Sequence, residues 1–441
     1  MDLSDPLLYG NITVRIFVIL YHNSIESRAM KNLILKIDRP ASGGQFIARH
    51  EGMVVMVKGH VLPGETVEVA VENEKKDYLA AYAVKILEPS PQRIIPPCEY
   101  YGICGGCSFQ HVPYDIQVRL KEDILRDCLK RIARTETELA PSVVSGDQWH
   151  YRQRGQFKIS AEGFGLHKKG TNDVIHTSRC LLMDDAINKY IQQANGLVRG
   201  TRLKEFHITG GDSLVAQIIT RKHALTPRDA EGLASQLINA GLSGMIAMIG
   251  DSVPMSFGKT YMTASLLQYK YTLSPPSFIQ ANWRLNQTVV KIVRDTLLPL
   301  GGMKVLDLYA GAGNFSIPLA GEAEVTAVEG NPYAIEDGRR NLELNNTANC
   351  TFIRSTAEHF RPTGHFDVVV LDPPRPGLSH KVMLKVLDML PERIVYLSCN
   401  PATFARDLRK LSAKYNIDSV RMIDFFPQTF HIEVLAFLRL R

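Results

Sequence analysis

From residue 304 onward the chain alternates short apolar runs with longer amphipathic stretches. Segments 304–309, 324–329, 350–355, 366–372, 393–399 and 432–439 read as buried strands, with helical periodicity in several of the gaps. This alternation predicts a doubly wound α/β sheet of parallel strands. Upstream the pattern changes to short segments of period two at 45–47, 53–57, 66–71 and 78–86, with a Pro63-Gly64 turn, which predicts a small closed barrel. Between these regions, segments 205–209, 214–220 and 244–249 read as strands around a helix near 227–240, a mixed α+β unit with no visible catalytic motif. The predicted organisation is an extension over 1–32, a barrel over 33–91, a central domain over 92–275 and the α/β domain over 276–441.

The α/β region places polar residues where its strands end. Strand 304–309 runs into Asp307-Leu308-Tyr309-Ala310-Gly311-Ala312-Gly313-Asn314-Phe315, a glycine turn, and Glu329 ends the next strand, where a carboxylate can accept hydrogen bonds from ribose hydroxyls. The third glycine of a dinucleotide fingerprint and a P-loop lysine are both missing. A nucleoside cofactor such as S-adenosylmethionine fits better. Strand 366–372 ends in Asp372-Pro373-Pro374-Arg375, a stiff extended loop whose arginine suits a phosphate. Strand 393–399 ends in Cys399, followed by Asn400 and Pro401 as N-cap and first residue of a helix. The helix N-terminus is expected to favour thiolate over thiol there; the competing reading is a small buried hydrophobe. Glu433 opens the last apolar strand, where a buried carboxylate is costly unless used or paired. His431 suits packing or hydrogen bonding better than catalysis.

Composition narrows the class. The 441 residues are 45% hydrophobic and 22% charged with a formal charge of +6, an ordinary globular balance that permits an anionic partner and favours nucleic acid over membrane. The apolar run at 12–20 is too short to span a bilayer and lacks signal-peptide features, so a cytoplasmic location is expected. Seven cysteines argue against a disulfide framework. Cys98, Cys104 and Cys107 follow a C-x5-C-x2-C spacing that suggests a thiolate metal site. Cys128 continues the apolar helical face of Ile116, Leu120, Ile124, Leu125, Leu129 and Ile132, so Cys180 is the better fourth ligand. Spacing alone leaves zinc and iron–sulfur both open. Residues 149–158 interleave aromatic and basic side chains, as an RNA-facing strand would.

Two resemblances sharpen these expectations. Met53-Val54-Val55-Met56-Val57, Leu62-Pro63-Gly64-Glu65 and Pro89-Ser90-Pro91-Gln92-Arg93 resemble the TRAM domain, an OB-like RNA-binding barrel. Segments 276–282, 307–315, 371–377, 397–401 and 426–433, with the four cysteines, resemble the RNA (uracil-5-)-methyltransferase family over about 33–441. The resemblance implies a Rossmann-like class I methyltransferase domain that uses S-adenosylmethionine. It further implies Cys399 as nucleophile, Glu433 as base, cofactor contacts at Gln280, Tyr309, Asn314, Glu329 and Asp372, and an iron–sulfur (4Fe-4S) cluster on Cys98, Cys104, Cys107 and Cys180. Tyr309 stands where phenylalanine is common and Gln428 where histidine is frequent, without loss of the essential pattern. The implied partner is RNA, with large-subunit ribosomal RNA favoured over transfer RNA, and the implied form is a cytoplasmic monomer. A cytosine-5 methyltransferase, an exocyclic N-methyltransferase and a cluster-bearing RNA-binding protein without catalysis are the alternatives.

Overall fold

The computed structural model describes residues 31–222 and 224–441, so nearly all of the expected extension over 1–32 lies outside the described residues. The chain divides into two compact units. One runs through Ile124 and includes Lys168–Thr171 and Gln428–Phe430; the other comprises Leu125–His167, Asn172–Pro427 and His431–Arg441.

In the first unit, β1 (Asn32–Ala41), β2 (Gln45–His50), β3 (Met53–Lys58), β4 (Thr66–Glu74) and β5 (Tyr78–Glu88) close into a barrel in the order β1-β2-β3-β5-β4. Alternate residues Leu33, Leu35 and Ile37 of β1 fill its core with Phe46, Val55, Val57, Val67 and Val69. The sequence pattern does not reveal β1, because Ile34 is 66% exposed and turns its alternation into an apolar run. The Pro63-Gly64 turn is fixed by Glu65, fully buried, which accepts Leu62 N at 2.8 Å and both Arg93 Nε and Nη2 at 2.9 Å. A buried carboxylate held by a forked guanidinium is well compensated.

The second unit contains two seven-stranded sheets. The first is formed by β6 (Arg154–Ser160), β7 (Gly163–His167), β8 (Val174–His176), β9 (Leu203–Gly210), β10 (Leu214–Thr220), β11 (Gly244–Ile249) and β12 (Met255–Gly258), in the order β12-β11-β10-β9-β6-β7-β8. Helix α1 (Tyr114–Cys128) precedes it in the chain, and α2 (Asp185–Val198) and α3 (Pro227–Asn239) pack their apolar faces on the core of Phe157, Phe164 and Phe206. The expectation of an RNA-facing strand over 149–158 is corrected: the strand starts at Arg154, whose guanidinium donates to Ser277 O at 2.5 Å and Pro275 O at 3.0 Å, and Lys158 pairs with Glu205 at 2.8 Å. Both cations have partners within the chain.

Hairpin β13 (Met262–Leu266) and β14 (Tyr269–Leu273) and helix α4 (Trp283–Leu297) lead into the second sheet. Its elements are β15 (Lys304–Leu308), α5 (Ser316–Ala320), β16 (Glu324–Glu329), α6 (Pro332–Leu344), β17 (Cys350–Arg354), β18 (Val368–Leu371), α7 (His380–Met389), β19 (Arg393–Ser398), α8 (Pro401–Leu411), β20 (Tyr415–Ile423) and β21 (Glu433–Leu440). The order is β17-β16-β15-β18-β19-β21-β20, with β15 to β19 parallel. An all-parallel sheet was the expectation, and it fails at one end: β21 runs antiparallel to β19, and β20 antiparallel to β21. Strand β20 escapes the sequence pattern because a register irregularity between Ile417 and Ser419 breaks its period of two.

A polar ladder joins α6 to β14. Asn345 Oδ1 accepts Lys270 N at 2.8 Å, Asn341 Oδ1 accepts Thr272 N at 2.7 Å, and Asp337 Oδ2 accepts Ser274 N at 2.8 Å. Steps of four residues on a helix advance about 6 Å and steps of two on an extended strand about 6.6 Å, so the rungs match. Asn341 is fully buried and also donates to Ala312 O in the glycine turn at 3.2 Å. Asn341→Ala should therefore strand a buried amide and a carbonyl and cost about 2–4 kcal/mol. Urea denaturation should show a lower midpoint with unchanged slope.

Candidate active site

At the carboxyl edge of the parallel strands the chain turns repeatedly, and each turn is fixed by hydrogen bonds. Tyr309 takes φ 67°, with its amide and that of Ala310 on Val328 O at 3.0 and 3.1 Å. Tyr271 donates to Gly313 O at 3.0 Å, closing the turn from the hairpin side. Glu329 accepts Gly311 N at 2.9 Å and Asn331 N at 2.7 Å, one on each oxygen. Each oxygen keeps a further lone pair for a ribose hydroxyl. Asn314 exchanges amide bonds with buried Asn286 of α4 at 2.7 and 3.2 Å. Gln280 is buried, and its neighbours are anchored: Gln153 N donates to Ala281 O at 2.8 Å, and Asn282 caps α4 by accepting Leu285 N at 3.1 Å.

Beneath the turn, Asp307 is fully buried; Ser316 donates to its Oδ2 at 2.5 Å, while Oδ1 has no hydrogen-bond partner among the described residues. Burial, then the carboxylates of Asp372 and Glu329, push its acid up to about 7. An orphaned buried acceptor beside two strand-end carboxylates suits a polar nucleoside, so these residues fit S-adenosylmethionine.

The loop after β18 is clamped by the helix after β19. Asp407 Oδ2 accepts Tyr396 Oη at 2.8 Å and Leu378 N at 2.9 Å, and Arg406 Nη2 donates to Pro376 O at 2.8 Å. Gly377 has φ 76°, and a Cβ there would lie 2.5 Å from Asp407 Oδ2. Sequence reasoning missed Asp407. For Asp407 a signal existed: it falls among the buried positions Phe404, Ala405, Leu408 and Leu411 of an amphipathic helix.

β19 ends at Ser398, one residue before the expected end, so Cys399 directly follows the strand, and Asn400 caps α8 by accepting Ala402 N at 3.0 Å. Residues of β19 and β21 pair from Arg393↔Arg439 to Ser398↔Val434. One further step in that register sets Cys399 opposite Glu433. Glu433 is only 6% exposed; burial and then Asp372 push its acid up to about 8, against the pull of Arg375. Burial first, then Glu433 and Asp372, raise the Cys399 thiol to about 11, with Arg375 again opposing. The expectation of a thiolate favoured by the helix terminus is thus corrected: desolvation and two carboxylates outweigh the helix end. Burial likewise holds Asp372 as an acid up to about 7. Arg375 Nη2 lies 3.3 Å from His431 Nδ1, and the His431 ring meets Phe426 edge-on at 5.7 Å. His431 thus packs and hydrogen-bonds at the edge of the site.

The cysteine cluster is not supported. All seven cysteines lie outside any disulfide, and among the described residues no three His, Cys, Asp or Glu side chains gather closely enough to hold a metal ion. Cys98 and Cys104 sit in turns closed by backbone bonds, Tyr101 N to Cys98 O at 3.0 Å and Cys104 N to Tyr100 O at 2.8 Å. Cys107 follows in the same loop, while Cys180 belongs to the other unit, its amide on Asn188 Oδ1 at 2.9 Å. Cys128 is buried on α1, as its helical face predicted. Among the described residues no helix is long and apolar enough to cross a membrane.

A family model described as tRNA (Uracil-5-)-methyltransferase matches residues 113–364 and 362–441, and a TRAM domain model matches 32–84. An uncharacterized RNA methyltransferase of Aquifex aeolicus is 34% identical over 429 residues, covering 93% of this chain and 99% of the relative. The 23S rRNA (uracil(1939)-C(5))-methyltransferase RlmD of Shewanella amazonensis is 31% identical, covering 93% and 96%. Among solved structures, the Pyrococcus abyssi tRNA (uracil-54, C5)-methyltransferase in complex with S-adenosyl-L-homocysteine superposes with a TM-score of 0.70 at 26% identity, covering 92% of this chain and 99% of that one. With the family model matching most of the chain and these relatives covered nearly end to end, the chain belongs to the tRNA (uracil-5-)-methyltransferase family, and is an S-adenosylmethionine-dependent RNA (uracil-5-)-methyltransferase.

Proposed function

We propose that this enzyme methylates carbon 5 of a uridine in large-subunit ribosomal RNA through a covalent adduct between Cys399 and carbon 6, giving 5-methyluridine. The observation that supports the reading is the β19–β21 register, whose last pair, Ser398 with Val434, leaves Cys399 and Glu433 as the adjoining residues. The near-full-length Shewanella relative, named as a 23S rRNA enzyme, supports the ribosomal substrate. Transfer RNA is the second reading, favoured by the Pyrococcus abyssi structure. Mapping 5-methyluridine in both RNA classes, with and without the gene, separates them.

Carbon 5 of uracil is too weak a nucleophile to take a methyl group unaided. The Cys399 thiolate adds to carbon 6, forming the sulfur–carbon bond and pushing the ring electrons into an enolate. S-adenosylmethionine supplies the electrophilic methyl, and carbon 5 takes it as the methyl–sulfur bond breaks. Glu433 removes the carbon-5 proton; the electron pair re-forms the 5,6 double bond and expels the Cys399 thiolate. Gln280, Tyr309, Asn314, Glu329 and Asp372 hold the cofactor in this reading. The target must be unpaired or flipped out, costing a few kcal/mol, and the TRAM barrel contributes to holding the RNA while it is.

Cys399→Ala should abolish methylation, and Glu433→Gln should accumulate a denaturant-stable protein–RNA adduct; full turnover by Cys399→Ala would sink the mechanism. RNA containing 5-fluorouracil should give a gel-stable adduct with the unaltered enzyme and none with Cys399→Ala. The pH dependence has a definite sign. Release needs Glu433 as carboxylate and attack needs Cys399 as thiolate; both groups titrate upward of neutrality, at about 8 and about 11. Turnover should therefore climb with pH, with the release step losing about tenfold per unit below about pH 8. Rapid-quench measurement of adduct decay across pH checks this, and decay in Glu433→Gln should lose that dependence.

A further inference from the structure

The edge that carries Cys399 and Glu433 is rich in acid. Asp372 follows β18, Glu433 opens β21, and both raise the Cys399 thiol. Such a site repels any anion formed on a bound ring unless a cation faces it. Among the described residues, Arg375 is the cation whose charge opposes that of Asp372 at both Cys399 and Glu433.

Arg375 is held from both ends within one unit. Pro374 and Pro376 flank it and restrict its backbone, and Gly377 N closes the turn on Pro374 O at 2.8 Å. Its carbonyl accepts Asn400 Nδ2 at 3.4 Å and Thr403 Oγ1 at 3.1 Å, and Asn400 directly follows Cys399. At the tip, Nη2 lies 3.3 Å from Nδ1 of His431, two residues before Glu433. A guanidinium has only hydrogens to offer, so His431 Nδ1 is the acceptor. The arginine thus bridges from the residue after Cys399 to the approach to Glu433. It is exposed, and among the described residues it pairs with no carboxylate, whereas Arg406 in the same clamp is paired with Asp407 at 2.8 Å.

We propose that Arg375 is a catalytic residue of the methyl transfer, donating from its guanidinium to the uracil oxygen on carbon 4 as that oxygen gains charge. The proposal rests on the reading of Cys399 as nucleophile. When the sulfur bonds to carbon 6, the 5,6 π pair moves between carbons 4 and 5 and the carbonyl π pair moves onto the oxygen. The same oxygen is charged again when Glu433 removes the carbon-5 proton, before the thiolate leaves. With carbon 6 at Cys399 and the carbon-5 proton toward Glu433, this oxygen lies on the Glu433 side of the ring, where the guanidinium ends. A fixed, charged donor there stabilises both enolates.

The test uses the full-length enzyme with S-adenosylmethionine and the RNA it methylates, comparing Arg375→Gln and Arg375→Lys with Cys399→Ala. Both Arg375 substitutions leave the carbonyl bonds to Asn400 and Thr403 in place, so thermal midpoints should match that of the unaltered enzyme. At saturating RNA containing 5-fluorouracil, Arg375→Gln should slow adduct formation about 100- to 1000-fold, the range for loss of one oxyanion donor. RNA affinity should be unaltered, and Arg375→Lys, which keeps the charge without the fork, should recover part of the rate. Alkylation of Cys399 by iodoacetamide, followed by peptide mass spectrometry, reads the thiolate alone and should fall at most about tenfold, one unit in the thiol's acidity. Equal falls in alkylation and adduct formation overturn the proposal, because Arg375 then acts on the sulfur only. Weakened RNA binding with a normal rate at saturation, as a phosphate contact would give, overturns it as well. A normal rate of adduct formation in Arg375→Gln overturns it while leaving Cys399 as nucleophile, and an adduct formed equally well by Cys399→Ala overturns both.

Discussion

The antiparallel direction of β21 is the constraint on which the site depends. A parallel strand beginning at Glu433 would start at the amino edge of the sheet, some six residues from the end of β19, or about 20 Å away. Because β21 runs against β19, its start lies at the end of β19, and the last registered pair, Ser398 with Val434, brings the next residues, Cys399 and Glu433, to the same edge. Strand β20 completes this reversal by pairing along the far side of β21 from Tyr415 to Ile423. Cys399 and Glu433 thereby both adjoin the last paired position, Ser398 and Val434. Backbone hydrogen bonding, rather than side-chain recognition, sets their distance.

Once side by side, these groups change one another. Asp307, Asp372 and Glu433 are all raised, and burial is the first cause for each. A carboxyl that titrates near 8 is a stronger base, when ionised, than an exposed one, which suits removal of a carbon-bound proton. Desolvation, then Glu433 and Asp372, raise the Cys399 thiol. Arg375 pulls both Cys399 and Glu433 the other way, and its loop is tied to α8 through Asn400 and Thr403, which donate to Arg375 O at 3.4 and 3.1 Å. The nucleophile's protonation is therefore set by a balance of charges around it. The helix end alone predicts the wrong direction because the carboxylates opposing it come from other strands.

That contrast marks what the sequence makes legible. Strand-end motifs at Tyr309, Glu329, Asp372 and Cys399 announce themselves, since each joins an apolar run to a turn residue of distinct chemistry. The barrel strands of clean period two are legible for the same reason. Strand β1 is hidden by the outward-facing Ile34, and β20 by its bulge. The direction of β21 cannot be read from composition, because parallel and antiparallel buried strands have the same apolar pattern. Basic residues mislead in a different way. Arg154 and Lys158 look like an RNA contact in sequence, yet their charges are spent on backbone carbonyls and on Glu205. A cation's partner depends on the fold, whereas its identity does not.

The 425–433 segment shows how the remaining information is stored. Its backbone is fixed at Phe425 and Pro427 by side chains of one unit and at Gln428 by side chains and amides of the other, each contact made within its own unit. Nothing in the local pattern marks Gln428 as left-handed; a glutamine there is sterically disfavoured unless its surroundings supply enough bonds to hold it. Those bonds come from Gln117 and the amides after Cys107, more than 300 positions away in sequence. A local conformational cost is thus offset by distant hydrogen bonds.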